Sequence, residues 1–163
     1  MIVIIDNDVL VEIFDIIYHA DKDKFKMVLN HLFLRFEQMW IPRTVKIEFC
    51  AYGQHKKRER RLQKMLSKYG EWLQICPIVV SKNERELYVN VEKVDEGEAD
   101  AISQIMKLEK YKDVGKIRLY KGKKFIFLTN DSTASRYASE NLGIEVLPFQ
   151  DLKNELREMG VEI

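Results

Sequence analysis

Four short stretches place acids where acids can do chemistry. Asp6 follows an unbroken apolar run in MIVIIDNDVL, and Asp131 follows another in FIFLTND. Glu48 falls between Val45 and Tyr52 in IPRTVKIEFCAY, close on a helical wheel to an apolar stripe that includes Phe49. VDEGEADAISQIM gathers Asp95, Glu96, Glu98 and Asp100 at the start of a helical pattern. Carboxylates held inward or at the ends of buried strands repel one another unless something neutralises them. A hard divalent cation does this best. Mg²⁺ or Mn²⁺ on carboxylates typically serves phosphodiester chemistry, in which a water is oriented and deprotonated. His19, His31 and His55 lie outside this set, which speaks against zinc.

Each acid also has a plainer use. Asp6 or Asp8 could cap the first helix, and Asn130 or Asp131 could cap the helix that begins near Ser132. Glu48 could carry its head group out to solvent. Acids in a first helical turn are favoured by unpaired N–H groups and the helix dipole. That accounts for the number of acids in VDEGEAD but not for their facing. A helix from Glu98 buries Ala101, Ile102, Ile105 and Leu108, with Glu98 near the centre of the stripe. Asp100 falls on the opposite side, beside Ser103 and Lys107. Side chains of a first turn can leave the wheel, so both acids stay candidates.

The elements that must position these acids are legible as alternating short strands and helices. Residues 2–5 and 125–128 are apolar without alternation, as in strands buried on both faces. Shorter strands are expected at 40–41, within 73–80 and at 144–147. Helices are expected over about 8–18, 24–38, 44–52, 54–69, 83–94, 96–111 and 132–142, with Gly143 as the natural stop and a last helix from Phe149. Pro42 suits a first helical position. The stretch 112–124 is longer than a usual connection and could form a small hairpin, an insertion of unknown purpose. Such alternation predicts an α/β fold, a three-layer α/β/α sandwich around a mainly parallel sheet of four or five strands. In such sheets ligands bind outside the carboxyl ends of the strands, where Asp6 and Asp131 fall.

The chain of 163 residues is long enough to bury a core as one domain, 1–163, and its 7 Gly and 3 Pro form no linker. Two cysteines, Cys50 and Cys76, provide neither a disulfide framework nor a CxxC pattern. No apolar run approaches a membrane span, and the start carries no basic stretch ahead of a long apolar segment. A cytoplasmic protein is the expectation.

In order and spacing, the four acidic pieces resemble the PIN domain, a nuclease family. MIVIIDNDVL resembles its opening strand and Asp, IPRTVKIEF its second element, and EGEADAISQ its third. FIFLTNDSTASRYASENLGIEVL resembles its fourth. The resemblance covers most of the chain. It implies a ribonuclease whose cleft binds Mg²⁺ or Mn²⁺ through Asp6, Glu98 and Asp131, with Glu48 and Asp100 aiding a second ion or positioning the water. The departure lies in the third piece, where an Asp-Ala pair would select Asp100 and the Gly-Glu form selects Glu98. Many stand-alone members are toxins held by a small antitoxin, and relatives often form homodimers.

The substrate candidates are basic. QHKKRERRLQKMLSK carries Lys56, Lys57, Arg58, Arg60, Arg61, Lys64 and Lys68 against the single acid Glu59, a plausible footprint for RNA phosphates or a solvated helix face. Arg136, one turn past Asp131, could reach a phosphate or pair with an acid of the cluster. Two other classes stand beside the nuclease. One keeps the fold as an RNA-binding or assembly module, against which the retained acids argue. The other is a phosphatase or receiver-like domain, for which a mid-chain phosphoacceptor and a late-strand lysine are not evident.

Overall fold

The computed structural model of the protein describes residues 1–51 and 55–163, the side chain of His55 apart. The expected limits at Tyr52 and Gln54 lie outside the described residues. Five strands form one sheet: β1 (Ile2–Ile5), β2 (Gln38–Ile41), β3 (Leu73–Ile75), β4 (Phe125–Thr129) and β5 (Val146–Pro148). Their order is β3-β2-β1-β4-β5, and every pairing is parallel, with Ile2 opposite both Gln38 and Phe125. The α/β sandwich and parallel sheet expected from the sequence are therefore present.

β1 is central, so its side chains alternate into two apolar layers. Val3 and Ile5 pack with Val9, Phe14, Leu32, Phe49 and Leu62 on one face. Ile2 and Ile4 pack with Trp40, Ala101, Ile102, Ile105 and Phe127 on the other. The first layer is covered by α1 (Asn7–His19), α2 (Lys22–Arg35), α3 (Arg43–Ala51), α4 (His55–Lys68) and α8 (Phe149–Glu158). The second is covered by α6 (Glu96–Lys110), with α5 (Lys82–Tyr88) packed beside it and α7 (Ser132–Arg136) following β4. Burial of apolar side chains on both faces explains why β1 and β4 are unbroken apolar runs.

Several boundaries differ from the sequence expectation, each for a local reason. α2 stops at Arg35 rather than 38, because Phe36 turns extended to bury its ring and Gln38 must pair with Ile2. α5 ends at Tyr88, well before 94. Val89 is extended, the Asn90 amide donates to the Tyr137 hydroxyl, and the Asn90 side chain accepts from the Glu92 amide, a local bond that competes with helix. The stretch 112–124 is not a hairpin but a 3-10 turn over Gly115–Tyr120. Ile117 and Tyr120, three apart, share one face of such a turn, so Ile117 is buried and Tyr120 sits edge-on to Trp40 at 4.9 Å. This segment closes the second core. The helix after Asp131 loosens into a π-turn over Tyr137–Asn141, and Gly143 follows at φ +65.

Candidate functional site

All the strands point their carboxyl ends to one edge, and the chain leaves β1 and β4 there through acids. Asp6 ends β1 and is 4% exposed. Its Oδ1 accepts from the Val9 amide at 3.0 Å, so Asp6 is the cap of α1. The exposed Asp8, the other candidate for this cap, sits in the first turn instead. Asp6 Oδ2 accepts the Thr129 hydroxyl at 2.5 Å, across the β1–β4 pair. The Thr129 oxygen in turn accepts from the Asp131 amide at 3.0 Å, and Asp131 Oδ1 caps α7 by accepting from Ala134 at 2.8 Å. Burial lifts the Asp6 carboxyl to about 6 against these two hydrogen bonds, and Asp8 and Asp95 push the same way.

α6 brings the third acid. Asp95 and Glu98 form a reciprocal cap: Asp95 Oδ1 accepts from the Glu98 amide at 2.8 Å, and Glu98 Oε1 accepts from the Asp95 amide at 2.9 Å. Glu98 is 4% exposed. Burial, then the charges of Asp95, Asp131 and Asp6, push it up to about 8 against the Asp95 hydrogen bond. Glu48 reaches the same region from α3. Its half-buried carboxyl is raised by burial and then by Asp95, Glu96, Asp8 and Asp6. It fits there because residue 97 is glycine: a Cβ at Gly97 would stand 3.3 Å from Glu48 Oε1 and 3.2 Å from Val45 Cγ2.

Asp100 is 5% exposed but serves elsewhere. Its Oδ2 accepts from the Thr44 hydroxyl at 2.8 Å and the Thr44 amide at 3.3 Å, which ties the start of α3 to α6. The helical wheel set Asp100 on the outer side of α6, yet Gly97 through Ile105 are buried all round. Its charge acts on Cys76, whose thiol burial pushes up to about 12. Thus the charges of Asp6, Glu48, Glu98 and Asp131 act within one set, while the Asp100 carboxylate is bound to Thr44.

Among the described residues, Asp6, Asp8, Glu48, Asp95, Glu98 and Asp131 form no ion pair. Of the acids beside them, Glu96 has one, with Arg85 at 3.5 Å. An oxygen-only donor set without its own cation suits a hard ion such as Mg²⁺ or Mn²⁺ in donor chemistry. In spacing it is open: among the described residues, no three His, Cys, Asp or Glu side chains stand in a metal-holding arrangement.

The basic candidates fall into separate places. Lys56, Lys57 and Arg60 are exposed on α4, while Arg61 is half-buried with its guanidinium 4.2 Å from the Tyr18 ring centre. Arg136 is exposed and, among the described residues, pairs with no acid. It lines a groove past Asp131 together with Thr129, Asn130, Ser135 and Phe149. Sequence reasoning missed Thr129, Gly97 and Thr44, and the pairing of Asp95 with Glu98 in one cap. A glycine inside a helical pattern is a signal of close approach and could have marked Gly97. No family model, curated protein or solved structure matches the chain.

Proposed function

We propose that the protein is a divalent-metal-dependent ribonuclease of the PIN type, acting at the carboxyl edge of the sheet. The observation that carries this reading is electrostatic. Asp6, Glu48 and Glu98 come from three different elements, and burial first, then the charges of neighbouring acids, raises all three above ordinary carboxylates. A purely structural protein gains nothing from such repulsion. A bound cation would relieve it.

Asp6, Glu98 and Asp131, whose carboxylates would have to draw together to reach one ion, would hold Mg²⁺ or Mn²⁺, which would supply charge for the phosphate oxygens and acidify a water. Glu48, seated against Gly97, would orient that water. Attack of the water oxygen on phosphorus would break the bond to the leaving sugar oxygen, which takes up the proton the water loses, and would leave a phosphate monoester and a hydroxyl. Thr129 holds Asp6 and the Asp131 backbone in register throughout. The groove that Arg136 lines would take the strand on one side of the scissile phosphate.

The test is RNA cleavage with Mg²⁺ or Mn²⁺ by the wild type and by Asp6→Asn. Asn keeps Oδ1 as the acceptor for the Val9 amide and puts an amide donor where Oδ2 took the Thr129 hydroxyl, so α1 stays capped while one ligand charge is lost, and cleavage should fall by at least a hundredfold. Equal residual activity sinks the reading. A second reading is an RNA-binding or assembly module without catalysis. It is favoured by the open spacing of the acids among the described residues. A protein that binds RNA but shows no metal-dependent cleavage belongs there. The family resemblance also carries a small antitoxin and a homodimer, for which growth arrest on expression without a partner and the mass in solution are the checks.

A further inference from the structure

The basic side chains of this protein divide into two populations. Away from α4 many are matched: Lys107 with Glu84 at 2.7 Å, Lys121 with Asp113 at 2.6 Å, Lys124 with Glu145 at 2.9 Å, Lys153 with Glu12 at 3.2 Å. On α4 seven bases stand in fourteen residues against one acid, Glu59. Among the described residues none of the seven forms an ion pair.

Their directions differ. Leu62 and Met65 are buried and fasten α4 to the body. Arg58 and Arg61 lean inward as well, 5.7 Å from the Phe49 ring centre and 4.2 Å from that of Tyr18. Those two guanidiniums are committed to rings. Lys56, Arg60 and Lys64 remain as an exposed row at i, i+4 and i+8, with Lys57 and Lys68 flanking. Neighbours four apart on a helix lie ~5–6 Å from each other, so the row repels itself.

We infer that this outer row of α4, Lys56, Arg60 and Lys64 with Lys57 beside them, is a docking track for the phosphate backbone of single-stranded RNA that works without metal. The step rests on the ribonuclease reading for the identity of the strand. Charge complementarity favours a polyanion, and the composition of the face favours phosphates over a protein. Every exposed residue between Lys56 and Lys68 is charged or polar, including Glu59, Gln63 and Ser67. A tight protein partner needs buried apolar anchors, and insertion into a membrane surface needs an apolar face; this row has neither. Regular spacing on a helix held rigid by its inner side suits contacts that repeat along a strand and read no bases.

The experiment measures binding of labelled single-stranded RNA in EDTA across a salt series. Three proteins are compared: wild type, the triple variant K56Q/R60Q/K64Q, and K121Q/K123Q/K124Q, which removes as many positive charges elsewhere. The α4 variant should bind at least tenfold more weakly, with a salt slope shallower by about 2, since each phosphate contact on a single strand contributes ~0.7. The second variant should bind within threefold of wild type. Equal losses in the two variants, or an unchanged slope in the α4 variant, overturn the inference. Displacement by polyglutamate as effective as by unlabelled RNA also overturns it, in favour of an acidic protein partner. Binding in EDTA is read apart from cleavage, so the track can stand while the nuclease reading falls, and the reverse.

Discussion

Thr129 donates its hydroxyl to Asp6 Oδ2 at 2.5 Å, so the last residue of one strand fixes the carboxylate that ends its neighbour. The same oxygen receives the Asp131 amide at 3.0 Å. One hydroxyl therefore sets the spacing of two acids that the sequence separates by more than a hundred residues. Hydrogen bonds to a charged group contribute about 1.5–3 kcal/mol. Thr129→Val should remove this one, lift the Asp6 carboxyl above about 6, and lower kcat with KM nearly unchanged. Thr129→Ser should restore both. Carboxyl NMR titration of Asp6 in the two variants reads the effect directly, and an unmoved titration would remove Thr129 from the site.

The raised acids make the metal-free protein sensitive to alkali. Asp6 moves from 3.8 to about 6 and Glu98 from 4.5 to about 8, so the folded state keeps protons that the unfolded chain has lost. Stability from these protons is complete below about 4 and is lost as pH rises through each folded value. For Asp6 the shift corresponds to roughly 2–3 kcal/mol. Thermal unfolding in EDTA should therefore show Tm falling from pH 5 to pH 9. The double variant Asp6→Asn, Glu98→Gln should flatten that slope. Mg²⁺ should raise Tm more at pH 8 than at pH 5, because it binds the ionised forms.

Gly97 departs from ordinary helix logic. Replacing a helical glycine with alanine usually gains up to ~1 kcal/mol. Here the added Cβ would press Glu48 Oε1 at 3.3 Å and Val45 Cγ2 at 3.2 Å. Gly97→Ala should leave Tm within a few degrees while cleavage falls about tenfold, since small displacements of a positioned group are costly to rate. A variant with unchanged kcat would show that Glu48 has no positioned role.

The carboxyl edge was readable because β1 and β4 are pure apolar runs that end in acids, and a parallel sheet puts such ends together. The partners of those acids were not readable. Thr129 looks like one more β-branched strand residue, and only the β1–β4 register aims its hydroxyl at Asp6. The helical wheel failed at Asp100 because it assumes one solvent face, and α6 has none from Gly97 to Ile105. Segment 112–124 looked like an appended hairpin, since the need to cover Trp40 is a property of the folded sheet. α2 was read too long because Phe36 is apolar at helical spacing, and only the pairing of Gln38 with Ile2 reveals the strand.

Glu98 and Asp100 are two buried acids two residues apart on one helix, and mutation should separate them. Glu98 adjoins the other acids, as the charges of Asp95, Asp131 and Asp6 on it show, whereas the Asp100 carboxylate, among the described residues, accepts only from Thr44. Glu98→Gln keeps an acceptor for the Asp95 amide, so the cap and the fold should hold while metal-dependent cleavage is lost. Asp100→Asn keeps an acceptor for Thr44 and should retain activity within a fewfold. Asp100→Ala leaves the start of α3 uncapped and should cost about 1–2 kcal/mol, as removal of a helix cap does. Thr44→Val should cost a similar amount, and the double variant should lose less than the sum, the mark of a shared bond. Unfolding midpoints and cleavage rates for the five proteins decide the division. If Asp100→Asn abolishes cleavage as fully as Glu98→Gln, then Asp100 works at the cation and the tie to Thr44 is secondary.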